Sequence, residues 1–221
     1  NRLHEQLDIQ YRAVNDDVEN IAQEMTALAQ NLADVNDQIQ LNFNNGTKNQ
    51  PNDLLDQRDR LVLQLSEYTN VTTVPADNGM ISLFVGSGQP LVLGTKALKV
   101  DAIIDRTDNS KLELALNNNG TIQRLRGDVM GGEIQGLADF RNNVLDEAFN
   151  QLGLTAIGIG HLVNQQQQEG LDLNQQVGGN FFNDFNDILS MQQRVLSTTD
   201  GLGTATLGLQ IEDVGLLPAD D

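Results

Sequence analysis

The sequence predicts an α+β protein: mainly a long-helix antiparallel bundle with a small antiparallel β element, followed by the start of a second β-rich domain. Three observations carry this. An apolar seam with alternating spacings of four and three runs unbroken from about Leu3 to Leu41. Short alternating segments punctuated by Gly and Asn occupy residues 71–126. Helical periodicity then returns and holds to about Gln168.

The first helix carries Leu7, Tyr11, Val14, Val18, Ile21, Met25, Leu28, Leu32, Val35 and Ile39 on its seam, with acidic and amide residues between them and no Gly or Pro. Such spacing is a heptad pattern, and a seam this narrow suits one or two long partner helices rather than a wide globular core. Asn42-Phe43-Asn44-Asn45-Gly46 ends it, and Pro51 cannot continue it. A second helix spans about Asn52 to Tyr68, with Leu54, Leu55, Leu61, Val62, Leu65 and Tyr68 on its apolar face. The short loop implies an antiparallel return along the first helix.

Strands are expected at Val71–Pro75 and Met80–Val85 around an Asp77-Asn78-Gly79 turn, and at Gln89–Gly94, Leu98–Ile104, Lys111–Leu116 and Thr121–Leu125. Asn117-Asn118-Asn119-Gly120 supplies the last hairpin. A third helix runs from about Ile134 or Gly136 to Gln168, with Leu137, Leu145, Ala148, Leu152, Ala156, Ile159 and Val163 on its apolar face. Gly153, Gly158 and Gly160 lie inside it, each costing about 1 kcal/mol relative to Ala, and close approach to a neighbouring helix is the expected compensation. A short helix is placed at Asp187–Leu196, and the alternation in 197–221 reads as the first strand of a further domain. The expected organisation is a helical core over 1–196 with a β insertion at about 71–126, and a truncated β-rich domain from 197.

Composition narrows the function. With 13 basic and 31 acidic residues the net charge is −18, which repels phosphate backbones and anionic lipid surfaces, so nucleic acid and membrane are excluded as partners. Aromatic residues make up 4% and Trp is absent, which argues against stacking platforms for sugars or single strands. Zero cysteines remove disulfides, thiolate metal sites and thiol nucleophiles. No apolar run approaches the ~20 residues of a membrane span. Asn1 opens the chain with helical periodicity already under way, so the sequence reads as an excised segment.

Little in the sequence resembles an active site. Asp56 and Asp59 share a helical face near Arg60, a pattern open to acid–base work but better read as an acidic first turn answered by arginine. Arg58 suits a partly buried bracket between helices. His4 and His161 are far apart and lack a second ligand at metal spacing. Asp101, Asp105 and Asp108 lack the EF-hand pattern, and the glycines at 86, 88, 131 and 132 lack a following Gly-Lys-Ser/Thr. No catalytic residue, cofactor or metal is therefore assigned. Phe181-Phe182 is either an exposed anchor for a neighbouring subunit or a plug closing the bundle end, the plug being preferred because aromatics are scarce.

Five stretches, in order, are similar to one family. Leu54-Leu55-Asp56-Gln57-Arg58-Asp59-Arg60-Leu61 with Leu65-Ser66 resembles the best-known block of the flagellar hook-associated protein FlgK family. Gly88-Gln89-Pro90-Leu91-Val92-Leu93-Gly94 resembles its next block, and Gly132-Glu133-Ile134-Gln135-Gly136-Leu137 with Arg141 and Leu145-Asp146 the start of its long return helix. Val163-Asn164, Gly170, Asp172-Leu173, Gly178 and Phe181-Phe182 resemble the block after it, and Ile211-Glu212-Asp213 with Ala219-Asp220 the opening of its inserted β domain. Gln167 stands where many relatives carry histidine, so no role for that imidazole transfers. The resemblance implies a non-enzymatic axial protein of the bacterial flagellum, exported by the flagellar type III apparatus without a cleaved signal. It would form an annular layer of its own copies between the hook protein and the filament-side hook-associated junction protein, adapting two helical lattices mechanically. An export chaperone would bind terminal regions absent here. Leu54, Leu55, Asp56, Gln57, Arg58, Asp59, Asn164, Gly170, Asp172, Phe181 and Phe182 are the family-motif residues with structural roles. The competing reading is a secreted coiled-coil adhesin or host-interaction protein.

Overall fold

The computed structural model describes residues 2–44, 51–76, 78–106, 108–171 and 173–183. The Asp187–Leu196 helix, the strand expected after 197, Gly46, Asp77 and Asp172 lie outside them. The fold is α+β, as the periodicities predict. Two compact units are present, one spanning Asp8–Leu145 and one made of Asn1–Leu7 and Asp146–Asp221.

Helix α1 (Arg2–Asn44) runs for 43 residues, about 65 Å at the standard rise. Helix α2 (Asn52–Tyr68) starts on Pro51, whose carbonyl accepts from the Leu54 and Leu55 amides at 3.0 and 3.1 Å. The Tyr68 hydroxyl donates to the Glu24 carboxylate, so the end of α2 lies beside the middle of α1 and the return is antiparallel. Four antiparallel strands follow, β1 (Val71–Pro75), β2 (Ile81–Val85), β3 (Gln89–Leu93) and β4 (Lys96–Ala97), in that spatial order. A second sheet has the order β5 (Lys99–Ile104), β6 (Leu112–Asn118) and β7 (Thr121–Arg124). The expected strand over 98–104 is thus preceded by the short β4, and Leu98 marks the change of sheet, its amide donating to Leu91 O at 2.8 Å. The last hairpin turns on Asn119 and Gly120, with φ of +50° and +96°, the left-handed pair that an Asn-Gly turn supplies.

The seam of α1 is buried from Tyr11 to Ile39, with one departure: Leu28 is half-buried, while Ala22, Ala29 and Ala33 are buried beside the seam. These alanines widen the stripe and let other elements approach. In this unit the seam packs against strands as well as helix: Leu83, Val85, Leu91, Val92, Val100, Leu114 and Leu116 share one core with Met25, Leu32, Val35, Leu61 and Leu65. The narrow-seam expectation of long helical partners alone is corrected accordingly.

Polar side chains of α1 reach out of this core to the strands. Asn36 is fully buried; its amide nitrogen donates to Ile81 O (2.8 Å) and Gly94 O (2.7 Å), and its oxygen accepts from Ile81 N (3.1 Å). Thr26 Oγ1 accepts from Val100 N at 2.9 Å and lies 3.1 Å from Val100 O. Asn15 donates to Ser110 O (2.7 Å) and accepts from Leu112 N (3.1 Å). A knot at Gly131-Gly132 ties the remaining elements. Asn70 N and Thr69 Oγ1 both donate to Met130 O, at 2.6 and 2.8 Å, and Gly86 N donates to Asn70 O at 2.9 Å. A Cβ at Gly132, whose φ is +61°, would fall 2.6 Å from the Tyr68 carbonyl carbon.

The third predicted helix is divided. Helix α3 (Gly132–Phe140) passes through a π turn at Arg141–Leu145 into α4 (Asp146–Glu169). Arg141 Nη1 donates to Leu112 O at 2.7 Å from that turn. In the unit holding α4, Gly160 and Asn164 are buried, whereas Ala156, Ile159 and Val163 of the predicted apolar face are exposed. The stripe exists but the described residues do not cover it. A Cβ at Gly153 or Gly158 would meet nothing within 4 Å, so the close approach expected there is not made by the described residues.

Two tests follow from this packing. Leu32→Ala is expected to cost about 2–5 kcal/mol, and Leu28→Ala less than half as much; equal losses in urea unfolding would refute the burial assigned to this face. The Tyr68 hydroxyl is pushed up from 10.0 to about 12, first by its hydrogen bond to Glu24 and then by burial. Above pH 10 the unfolded chain releases a proton that the folded chain keeps, so the stabilisation is complete below that pH and is lost as pH rises through about 12. The stability difference between the protein and Tyr68→Phe should therefore shrink between about pH 10 and about pH 12; an unchanged difference would show that the hydrogen bond does not set the titration.

Candidate functional site

The motif residues occupy two places, each described by itself. On α2, Leu54 and Leu55 are half-buried and pack against the core of their unit, while Asp56, Gln57 and Asp59 are exposed. Arg58 is mostly buried, but its Nε and Nη2 bond Asp59 Oδ1 at 2.9 and 2.8 Å, so its ion pair is made within α2 rather than between helices. Asp56, Asp59, Arg60 and Leu63 line an open surface depression of about 500 Å³. Arg60 Nε donates to the backbone carbonyl of Asp56 at 3.2 Å. Nothing here forms a general acid–base pair: Asp59 is engaged by arginine, and no nucleophile or histidine lines the depression.

The second place is the end of α4, where Asn164, Gly170, Phe181 and Phe182 come together. A helix leaves its last carbonyls unpaired and its flank closed to backbone bonding. Asn164, buried on α4, supplies what that flank lacks. Its Oδ1 accepts from Phe181 N (2.9 Å) and Phe182 N (2.8 Å), and its Nδ2 donates to Phe182 O at 3.0 Å. Between these points the chain turns back through a Leu171–Val177 antiparallel bridge, with Gly178 N donating to Gly170 O at 3.1 Å. Gly178 passes so close to the helix end that a Cβ there would lie 2.3 Å from Gln167 O. The sequence marked Gly178 only as part of a motif; this approach is the physical reason for glycine.

The clasp holds the backbone and leaves the rings outside. Phe181 and Phe182 are 72% and 45% exposed and meet edge to face at 5.4 Å, so the preferred plug is corrected: the rings are not buried. Leu171, Leu173 and Val177 are exposed beside them.

The other candidates are absorbed locally. His4 stacks edge to face on Phe149 at 5.7 Å, and His161 is exposed. Asp101 is held by Lys99 at 2.6 Å and Asn117 at 2.7 Å. Asp105 accepts from Asp108 N and Asp108 from Ser110 N, at 3.0 and 2.9 Å, which are turn bonds. Among the described residues no three His, Asp or Glu side chains converge to hold a metal ion, and no helix is long and apolar enough to cross a membrane. Sequence reasoning missed Asn15, Thr26 and Asn36. The available signal was a polar residue flanked at helical spacing by apolar ones, as Asn36 is by Leu32, Ala33 and Ile39.

The clasp makes a local prediction. Asn164→Ala removes three hydrogen bonds and Gly178→Ala inserts a methyl group against a carbonyl. Each should raise amide exchange at Phe181 and Phe182 by about 10- to 100-fold while leaving Ile81 and Val100 unchanged. Retained protection at the two Phe amides in both variants would refute the clasp.

Over residues 1–182 the chain matches the family model described as the flagellar hook-associated protein FlgK helical domain. It is 30% identical over 195 residues to flagellar hook-associated protein 1 of Escherichia coli K12, covering 87% of this chain and 35% of that protein. Against flagellar hook-associated protein 1 of Salmonella typhimurium LT2 it is 33% identical over 156 residues, covering 70% and 28%. The chain therefore spans about a third of the length of these relatives. The solved structure of the flagellar hook junction protein FlgK from Burkholderia pseudomallei superposes with a TM-score of 0.71 at 30% identity, covering 80% of this chain and 32% of that one. Matched in sequence over most of its length and in fold over four-fifths of it, the chain belongs to the FlgK family of flagellar hook-associated proteins.

Proposed function

We propose that the protein is a structural component of the bacterial flagellum that sits outside the cell at the junction of hook and filament and adapts one lattice to the other. Its work is mechanical rather than catalytic. The observation that carries this is the way both sheets are tied to α1 by side-chain hydrogen bonds through Asn15, Thr26 and Asn36, the last of them fully buried. Such a unit resists sliding of sheet past helix, because a slip leaves the buried donors and acceptors around Asn36 unpaired at about 1–3 kcal/mol each.

The partners in this reading are other copies in an annular layer, the hook protein, and the filament-side hook-associated protein, with export by the flagellar type III apparatus and a chaperone bound elsewhere in the protein. The exposed apolar stripe of α4, with Ile159, Leu162 and Val163 and no Asp, Glu, Lys or Arg from Ala148 to Gln168, supports an axial role, since it can be covered by helices of the assembly without burying a fixed charge. Leu54, Leu55, Asn164 and Gly170 serve the fold of each unit. The adhesin reading has no comparable support, as every relative named above is a hook-associated or hook junction protein.

A fluorescent label on the protein in intact flagellated cells should mark one point per flagellum, at the base of the filament. Uniform labelling of the envelope would reject the reading in favour of the adhesin.

A further inference from the structure

The sheet of β1–β4 has a second face that no part of the core uses. Ile81, Leu83 and Val85 of β2 point inward and are buried, so Ser82 and Phe84 point outward. Cross-strand pairing puts Val74 opposite Ser82, Pro90 opposite Phe84 and Lys96 opposite Leu93, all on that outer face. Phe84 and Pro90 are half-buried at its centre, and Val74 and Leu93 flank them at 49% and 47% exposure. The residues named carry no carboxylate in a chain of net charge −18, and Lys96 is exposed and makes no ion pair among the described residues.

The inner face of the same sheet packs on α1, so the outward stripe of α1 lies on the opposite side of this two-layer unit. There Asp34, Asp37 and Leu41 are exposed at helical spacings of three and four. No basic residue occurs in α1 after Arg12, whereas Asp16, Asp17, Glu19, Glu24, Asp34 and Asp37 do. One side of the unit is thus apolar with a single cation, and the other is acidic with an apolar Leu.

We propose that the outer face of the β1–β4 sheet docks on the α1 stripe of a second copy, with Lys96 set against Asp34 and Asp37 and with Val74 and Leu93 against Leu41. Two unlike patches on opposite sides of one unit make a heterologous contact, which repeats from copy to copy and closes a ring when the rotation permits. Two copies meeting through their acidic helices would instead set like charges together. The contact rests on the annular reading given above and names the surfaces that build the ring.

The chain contains no cysteine, so engineered pairs report without background from it. In cells whose own hook-associated protein 1 is replaced by the protein carrying this chain, Leu41→Cys with Leu93→Cys should give disulfide-linked dimers and higher ladders from isolated hook–filament junctions, and neither single variant should give ladders. In that background Lys96→Glu, or Asp34→Lys with Asp37→Lys, should each cut ladder yield about fivefold, and combining them should restore it. Unfolding midpoints of the purified variants separate loss of contact from loss of fold. A label retained at the junction with no ladder, or with a ladder indifferent to charge reversal, overturns the contact and leaves the function standing. A label absent from the flagellum before any substitution overturns the function, and this contact with it.

Discussion

An α-helix spends its backbone hydrogen bonds on itself, so a β-strand laid beside one finds no backbone partner there. The Asp8–Leu145 unit depends on how that mismatch is resolved. Pairing of β2 with β3 extends only to Leu83 opposite Val92, which leaves the amide and carbonyl of Ile81 without a strand. Asn36 takes both, together with Gly94 O. At the edge strand β5, Thr26 Oγ1 takes the Val100 amide, its single hydrogen shared between Ala22 O at 2.8 Å and Val100 O at 3.1 Å. At the start of β6, Asn15 takes Ser110 O and Leu112 N. These three residues stand 11 and 10 positions apart, about three helical turns each, so one helix fixes the position of two sheets along its length. A leucine at position 36 would preserve apolar packing yet leave two buried carbonyls and an amide unpaired, which costs more than the added burial returns.

The choice of neutral amides and a hydroxyl for this work fits a chain of such acidity. A buried carboxylate or ammonium would bring a desolvation cost of several kcal/mol, and would respond to pH and salt. Ion pairs are instead placed on the outer face of the β5–β7 sheet, where Lys99 meets Asp101 and Arg124 meets Glu113 at 2.6 and 2.8 Å. These carboxylates answer acid in opposite senses. Asp101 is held below its ordinary range by the bonds from Lys99 and then Asn117, so its contribution is present above about pH 4 and fades as pH falls through its lowered value. Glu113 is raised, by desolvation first and then by Asp105. It therefore accepts a proton earlier than the unfolded chain does, and acid relieves part of its burial. On one face the two effects partly cancel.

Much of this fold is legible in the sequence, because long periodic segments average over local noise. Helix α2 falls where Pro51 and the Leu54–Leu65 pattern put it, and six of the seven strands lie inside or within two residues of segments marked by alternation and Gly or Asn turns. What was not legible depends on contacts distant in sequence. Period alone cannot say whether the partner of a seam is a helix or a sheet, and the small residues Ala22, Ala29 and Ala33 were the missed hint that something broad lay against it. The π turn at Arg141–Leu145 inserts a residue without Gly or Pro to announce it. Ala156, Ile159 and Val163 show the complementary limit, since periodicity reports that a face is apolar and not that anything described covers it. Asn164 was flagged by family resemblance, but its three hydrogen bonds to residues 17 and 18 positions away required the folded chain.

The motif residues can be sorted by whether their own unit has a use for them. Leu54 and Leu55 fill the core, Asn164 closes the clasp, and Gly170 and Gly178 let the chain turn against the helix end. The side chains of Asp56 and Gln57 are exposed and bond nothing among the described residues, and the rings of Phe181 and Phe182 touch each other while facing out. An exposed aromatic pair costs solubility and returns no folding energy. The clasp spends three hydrogen bonds holding the backbone of that pair in one pose, which is ordering with no return inside the unit. A surface both apolar and pre-ordered loses little conformational entropy when it is covered. That combination is favoured where the rings are covered by another part of the protein or assembly, and the same logic makes the clasp, rather than the rings alone, the part on which such a contact depends.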